Sequence, residues 1–235
     1  MSVYIFHGDR GGTGKTTTAA TFTEYLVARN EPVFVLDADT RNNELYSMFK
    51  CGSVPSDIVY LRDTEGWANL GNLLSTRDEP NVVLSLPANI GEEVTYQSDF
   101  IRDILTGLDR SLVVFWTLNR SPQSVGLLIP VLDALGSTAK AMVAVRNLYF
   151  GDTDRFVRWN TSNTRKKFLA NTGLEIDLPE LLDSIMDETM LANPIRRLSS
   201  TDALPYAHRL IAKRWLSTCY AAYDSICDKV GIGVR

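Results

Sequence analysis

Residues 8 to 18 read Gly-Asp-Arg-Gly-Gly-Thr-Gly-Lys-Thr-Thr-Thr, between a short apolar run, Val3 to Phe6, and a Thr/Ala-rich helical pattern. Strand, Gly-rich turn and helix in immediate succession form the frame in which a phosphate loop works. Glycines 11, 12 and 14, with Thr13 between them, let the backbone fold tightly and aim successive N–H groups at phosphate oxygens. The helix N-terminus adds its partial positive charge. In that frame Lys15 reaches the β- and γ-phosphates, Thr16 offers its hydroxyl to a magnesium ion and Thr17 lies near the α-phosphate, so ATP with Mg²⁺ is the expected ligand. The alternative, a flexible Gly-rich turn before an ordinary helix, leaves the matching frame unexplained.

Further apolar runs occur at Pro32 to Leu36, Val82 to Leu86, Leu112 to Leu118, Ala139 to Val145 and Leu174 to Leu178, separated by longer amphipathic stretches. Strands alternating with helices predict βαβ units and a mostly parallel sheet, which can be apolar throughout because helices cover both faces. Ligands gather at the carboxyl ends of such strands. From Pro205 to about Val230, Ala207, Ile211, Trp215, Cys219, Tyr223, Ile226 and Val230 recur as one stripe, which predicts a long helix packed on the sheet. With no repeats or linker-like stretches, residues 1–235 are expected to form a single α/β domain.

The loop resembles the deviant Walker A motif of the ParA/MinD superfamily of P-loop ATPases, Lys-Gly-Gly-x-Gly-Lys-Thr/Ser: Asp9 replaces the glycine of the usual spacing and Arg10 stands at the signature lysine position. In that family the lysine crosses a dimer interface to touch the partner's nucleotide, so the resemblance implies an ATP-bound homodimer with Arg10 acting in catalysis beside Lys15. Arginine can fork onto phosphate but is not a lysine equivalent. A solvated loop cation is the competing reading. The segment Val33 to Asn42 looks like the family's switch I, an apolar strand ending in Asp37-Ala38-Asp39. Asp39 matches the water-orienting catalytic aspartate and Asp37 would support the hydration shell of Mg²⁺. Asp, Thr and Asn also cap helices well, which is the bland alternative. Thr40-Arg41-Asn42 looks more like the plasmid-stability and conjugal-transfer branch than chromosomal partition proteins.

The pattern breaks at Val82-Val83-Leu84-Ser85-Leu86, where Ser85 stands in place of the Walker B aspartate. A hydroxyl can hold a metal-bound water but brings no negative charge, so slow hydrolysis, or a nucleotide-binding adaptor that does not hydrolyse, is expected. Asn147 matches the position at which the family reads the adenine edge, and Pro179 the position at which backbone meets the base. Turn chemistry explains both equally well.

Net charge is -4, against broad attraction to nucleic acid or anionic lipid, yet Arg165-Lys166-Lys167 and the group Arg196, Arg197, Arg209, Lys213 and Arg214 are candidate local patches. Through such surfaces partition-type relatives bind DNA without sequence preference, while solvated helix faces are the alternative. No run of about eighteen apolar residues occurs, and the tail from Asp224 to Arg235 lacks a basic amphipathic pattern, so no membrane role is expected. Cys51, Cys219 and Cys227 lack metal-site spacing and the N-terminus shows no signal-peptide pattern, so a reducing cytoplasm is the expected compartment. Isolated His7 and His208 read as structural. The resemblance implies an ATP-dependent dimerising switch in plasmid partition, positioning or conjugation, with a protein adaptor or DNA-bound partner. The rival is a metabolic ligase of the dethiobiotin or cobyrinic-acid synthetase type.

Overall fold

The computed structural model describes residues 1–8, 10–171, 173–190, 194–200 and 202–231. Seven strands form one parallel sheet: β1 (Ser2–His7), β2 (Val33–Asp37), β3 (Ser56–Ile58), β4 (Asn81–Ser85), β5 (Ser111–Leu118), β6 (Ala139–Asn147) and β7 (Leu174–Leu178), in the order β3-β2-β4-β1-β5-β6-β7. The first strand is central because its residues are apolar on both faces: Tyr4 and Phe6 face one cluster, Val3 and Ile5 the other. The order reverses beside β1, so the loop leaving it opens onto the crevice where ligands of such sheets bind.

On one face lie α1 (Lys15–Ala28), α2 (Glu44–Phe49), α10 (Asp183–Met190), α11 (Ile195–Ser200) and α12 (Tyr206–Val230). Phe22 of α1 packs against stacked Phe6 and Phe115, whose rings lie 4.6 Å apart, and meets Tyr223 of α12 edge-on. The Tyr223 hydroxyl reaches the Thr18 carbonyl, while Arg29 pairs with Asp224 at 2.6 Å, so α12 closes over the back of α1. On the other face lie α3 (Thr64–Ser75), α4 (Gly91–Tyr96), α5 (Ser98–Gly107), α6 (Pro122–Gly126), α7 (Leu128–Leu135), α8 (Val157–Asn160) and α9 (Asn163–Ala170), around Trp67, Trp116 and Trp159.

Two expectations need correction. The stripe on α12 runs through Ala212, Trp215, Leu216, Cys219, Tyr223, Ile226 and Cys227; Ala207 and Ile211 are exposed. Steps of four residues advance about 40° beyond a full turn, so a strict i+4 row spirals off the buried face, and the observed row mixes steps of three and four. The second departure is β3, whose Ser-Asp-Ile sequence at the sheet edge carries no apolar run.

Candidate nucleotide-phosphate site

Every candidate residue described in the first half of the chain lies at the carboxyl ends of β1, β2 and β4. Gly14 immediately precedes α1 at φ +94° and contributes no side chain to cap the helix. The first-turn amides of such a helix have no intrahelical acceptor and face the loop's concavity. A Cβ built on Gly14 would stand 2.3 Å from Asn147 Nδ2 in a backbone conformation that L residues avoid, so only glycine fits. By contrast, Gly11 and Gly12 look into open space, with Gly12 also at positive φ. The loop therefore combines a tight wall with an open mouth, the shape that a bound phosphate needs. Asp9 lies outside the described residues.

Lys15 is buried and its Nζ donates to the Arg10 carbonyl at 2.6 Å, so the ammonium is folded over the loop rather than extended into solvent. Thr13 is buried and its hydroxyl donates to the same carbonyl at 3.4 Å. Thr16 and Thr17 are half-buried on the first turn of α1, and Arg10 is exposed on the outer rim. His7, just before the loop, is buried edge-on to Trp116, with neither ring nitrogen hydrogen-bonded in the structure. Burial, aided by the Lys15 charge, drives its pKa down to about 3, so the ring is neutral.

Across the crevice, Asp37 is buried, and burial raises its pKa to about 6. Its Oδ1 accepts from the Asp39 amide at 3.0 Å and its Oδ2 from the Tyr46 amide at 3.1 Å, so one carboxylate holds both ends of the segment between β2 and α2. Asp39 is half-exposed, and its Oδ1 accepts from the amides of Arg41 and Asn42. In this conformation, then, both aspartates do the capping work that their residue types allow. Ser85 ends β4 in register with Phe6 and Asp37, buried between them. The loop that follows is held from outside by Arg62, whose guanidinium donates to the carbonyls of Ala88 and Asn89 at 3.0 and 3.1 Å. Nothing in the spacing of Arg62 announces that role, because its acceptors are backbone atoms 26 and 27 positions away.

The far end of the site is built by β6 and β7. Asn147 Nδ2 donates to the Thr13 carbonyl at 3.0 Å while its Oδ1 accepts from the Tyr149 amide at 3.1 Å. Its amide thus latches the phosphate loop to β6, a contact between residues 134 apart that spacing could not reveal. Arg146 grips Asp177 with two hydrogen bonds, at 2.6 and 3.2 Å, and so ties the strand ends that carry Asn147 and Pro179. The Pro179 carbonyl accepts from Trp215 Nε1 at 2.7 Å, which anchors that turn to α12.

Of the two basic clusters, Arg165 is committed to Glu175 through paired hydrogen bonds at 2.8 and 2.7 Å, leaving Lys166 and Lys167 exposed beside it. Arg209 pairs with Asp202, whereas Arg196, Arg197 and Lys213 converge on a groove elsewhere. Cys51 is exposed and Cys219 and Cys227 are buried, and no cluster of three metal-ligating side chains occurs among the described residues. Nor is any helix among those residues long and apolar enough to cross a membrane.

A parallel sheet whose central strand empties into this loop defines a nucleotide-binding domain of the P-loop kind. Residues 4–187 match the model of the CobQ/CobB/MinD/ParA nucleotide binding domain, and the chain belongs to that family. It is similar to the protein MobD of Acidithiobacillus ferrooxidans, 28% identical over 217 residues that span 91% of this chain and 92% of that one. Its fold is that of MinD in the MinC:MinD cell division protein complex of Aquifex aeolicus, with TM-score 0.56, 16% identity and coverage of 93% and 94%. The septum site-determining protein MinD of Pyrococcus horikoshii OT3, solved with Mg-ADP, shares the fold at TM-score 0.54 and 14% identity, covering 97% of this chain and 98% of that one.

Proposed function

We propose that this protein is an ATP-binding, slowly hydrolysing switch that dimerises on ATP and acts in plasmid or DNA partition, positioning or conjugative transfer. The observation that supports this most is the start of α1: a helix capped by no side chain, beneath a loop whose glycine wall admits no Cβ, with a buried lysine folded over it. The residues fit ATP and Mg²⁺. Amides of Gly11 to Thr17 and the Lys15 ammonium would hold the phosphates, and Thr16 and Asp37 the hydrated metal. Asn147 and Pro179 would flank the base. ATP supplies the terminal phosphoanhydride bond whose cleavage resets such a switch.

Asp39 orients a water, releasing its hold on the Arg41 and Asn42 amides to do so. Ser85 leaves the end of β4 one negative charge short, which makes metal retention weak and turnover slow. Arg10 is exposed on the loop rim and would reach a second subunit from there. The mass in solution tests this reading: with ATP and Mg²⁺ the protein should double in mass, whereas with ADP, or as Lys15→Ala, it should stay monomeric. A monomer under all three conditions overturns dimer switching.

The family description also names CobQ and CobB, which keeps a ligase acting on a small carboxylic acid as the second reading. Phosphate release that requires such an acid, and ignores DNA and protein partners, favours it.

A further inference from the structure

Away from the phosphate loop, about 15 Å along α1 at 1.5 Å per residue, a groove of about 800 Å³ opens between α1, α2 and the segment that runs through α11 to α12. Its floor is apolar: Val27 of α1, Met48 and Phe49 of α2, Val54 beyond it and Pro194. Its rim is cationic, formed by exposed Lys50, Arg196, Arg197 and Lys213. None of these four forms an ion pair with a described residue. The one acid in the lining, Glu24, is buried; its Oε1 accepts from the Arg196 amide at 2.5 Å and its Oε2 has no hydrogen-bond partner in the structure. Burial raises the Glu24 pKa to about 8, which favours its uncharged form at neutral pH and weakens its compensation of the rim. Four cations without an ion-pair partner among the described residues, around an apolar floor, stand out on a chain of net charge -4.

We propose that this groove is a docking site for an acidic, partly apolar segment of a partner protein. Clustered arginines and lysines recognise carboxylates by charge-assisted hydrogen bonds, while alternate apolar side chains fill the floor. Concavity favours a peptide over a nucleic-acid duplex, whose phosphates lie on a convex cylinder too wide to enter a cavity of drug-molecule dimensions. Part of the wall, from Pro194 to Lys213, lies beyond the residues 4–187 that match the nucleotide-binding domain. The opposite wall is α2, which begins at the segment hung from Asp37, so an occupant would touch the helix that leads out of the nucleotide crevice.

Two probes test the proposal: a fluorescein-labelled peptide of fifteen residues alternating glutamate with leucine, and a labelled 20-base-pair DNA duplex. Binding is followed by anisotropy. Location is followed by iodoacetamide alkylation of Cys51, the exposed thiol on the groove's edge. The peptide should bind saturably and slow Cys51 alkylation at least fivefold. Arg197→Glu combined with Lys213→Glu should weaken it tenfold or more, while Arg102→Glu on α5 leaves it unchanged. Both groove positions are exposed, so unaltered circular dichroism is expected and confirms the fold. Three results overturn the proposal: no saturable peptide binding, binding that neither protects Cys51 nor depends on the groove cations, or protection of Cys51 by the duplex in place of the peptide.

Discussion

At its amino end α1 meets the ligand edge through backbone: uncapped amides, a glycine at positive φ and one lysine, all within eight consecutive residues from Arg10 to Thr17. Ten residues further on, the same helix presents Glu24 to a groove whose other walls come from α2, the loop after it, α11 and α12. The first site is local, because phosphate recognition by main-chain amides needs only a contiguous turn. The second is tertiary, because its charges are brought together by packing across more than 160 positions of sequence, from Lys50 to Lys213. Perturbing one site should therefore leave the other standing, and each expected effect below sharpens or breaks that separation.

The largest is Gly14→Ala. A methyl group 2.3 Å from Asn147 Nδ2 must displace that side chain from the loop, and at φ +94° it strains the backbone as well, so ATP affinity should fall 100-fold or more, about 2.7 kcal/mol. Peptide binding at the groove should not change; a shared loss would show that the two sites are one unit.

Next comes Glu24. Its pKa is raised from 4.5 to about 8, so between those values the folded protein holds a proton that the unfolded chain has released, and stability falls as pH rises through the window. At about 1.4 kcal/mol per pH unit, wild type should lose roughly 2 to 3 kcal/mol more than Glu24→Gln between pH 6 and pH 8, as read by urea unfolding. His7 acts in the opposite sense. Its pKa is lowered from 6.5 to about 3, so the unfolded chain binds a proton that the folded one refuses, and stability is lost as pH falls below 6.5. Compared with a His7→Gln variant, wild type should lose roughly 1.5 to 2 kcal/mol more on acidification from pH 6.5 to 5, a difference in which the opposing shifts of Glu24 and Asp37 cancel. A flat profile would mean that one of the two groups is solvated after all.

Smaller effects belong to the ligand edge. Ser85→Asp places a second carboxylate beside Asp37, its partner in the sheet register, and should raise Mg²⁺-dependent ATP turnover about tenfold, equivalent to about 1.4 kcal/mol in the barrier. Unchanged turnover would mean that the missing carboxylate is not what limits hydrolysis. Asn147→Ala removes the bond to the Thr13 carbonyl and should lower stability by about 1 kcal/mol, measured by thermal unfolding.

The same contrast explains what could be read from sequence. The parallel sheet, six of its strands and the position of the loop were legible because continuous apolar runs and a contiguous Gly-rich turn are local signals. β3 was not, since an edge strand of Ser-Asp-Ile carries no such signal. Residue types mark Asp37 and Asp39 as candidates both for the metal and water and for capping, and only the fold shows which amides they hold. The position of Asn147 suggests the base, yet its contact with the phosphate loop depends on β6 lying one strand, β5, away from β1. Arg165 reads as a free cation in a basic run until the fold places Glu175 opposite it, and Lys50, alone in sequence, joins Arg197 in the groove lining only through the fold.

Isothermal titration of ATP with Mg²⁺ into the intact protein and into Lys15→Ala tests the phosphate loop most directly. Saturable heat in the wild type, weakened at least 30-fold by the loss of the ammonium, is the predicted result. An absence of heat with a correctly folded wild-type protein would contradict nucleotide binding by this loop, and the switch built upon it.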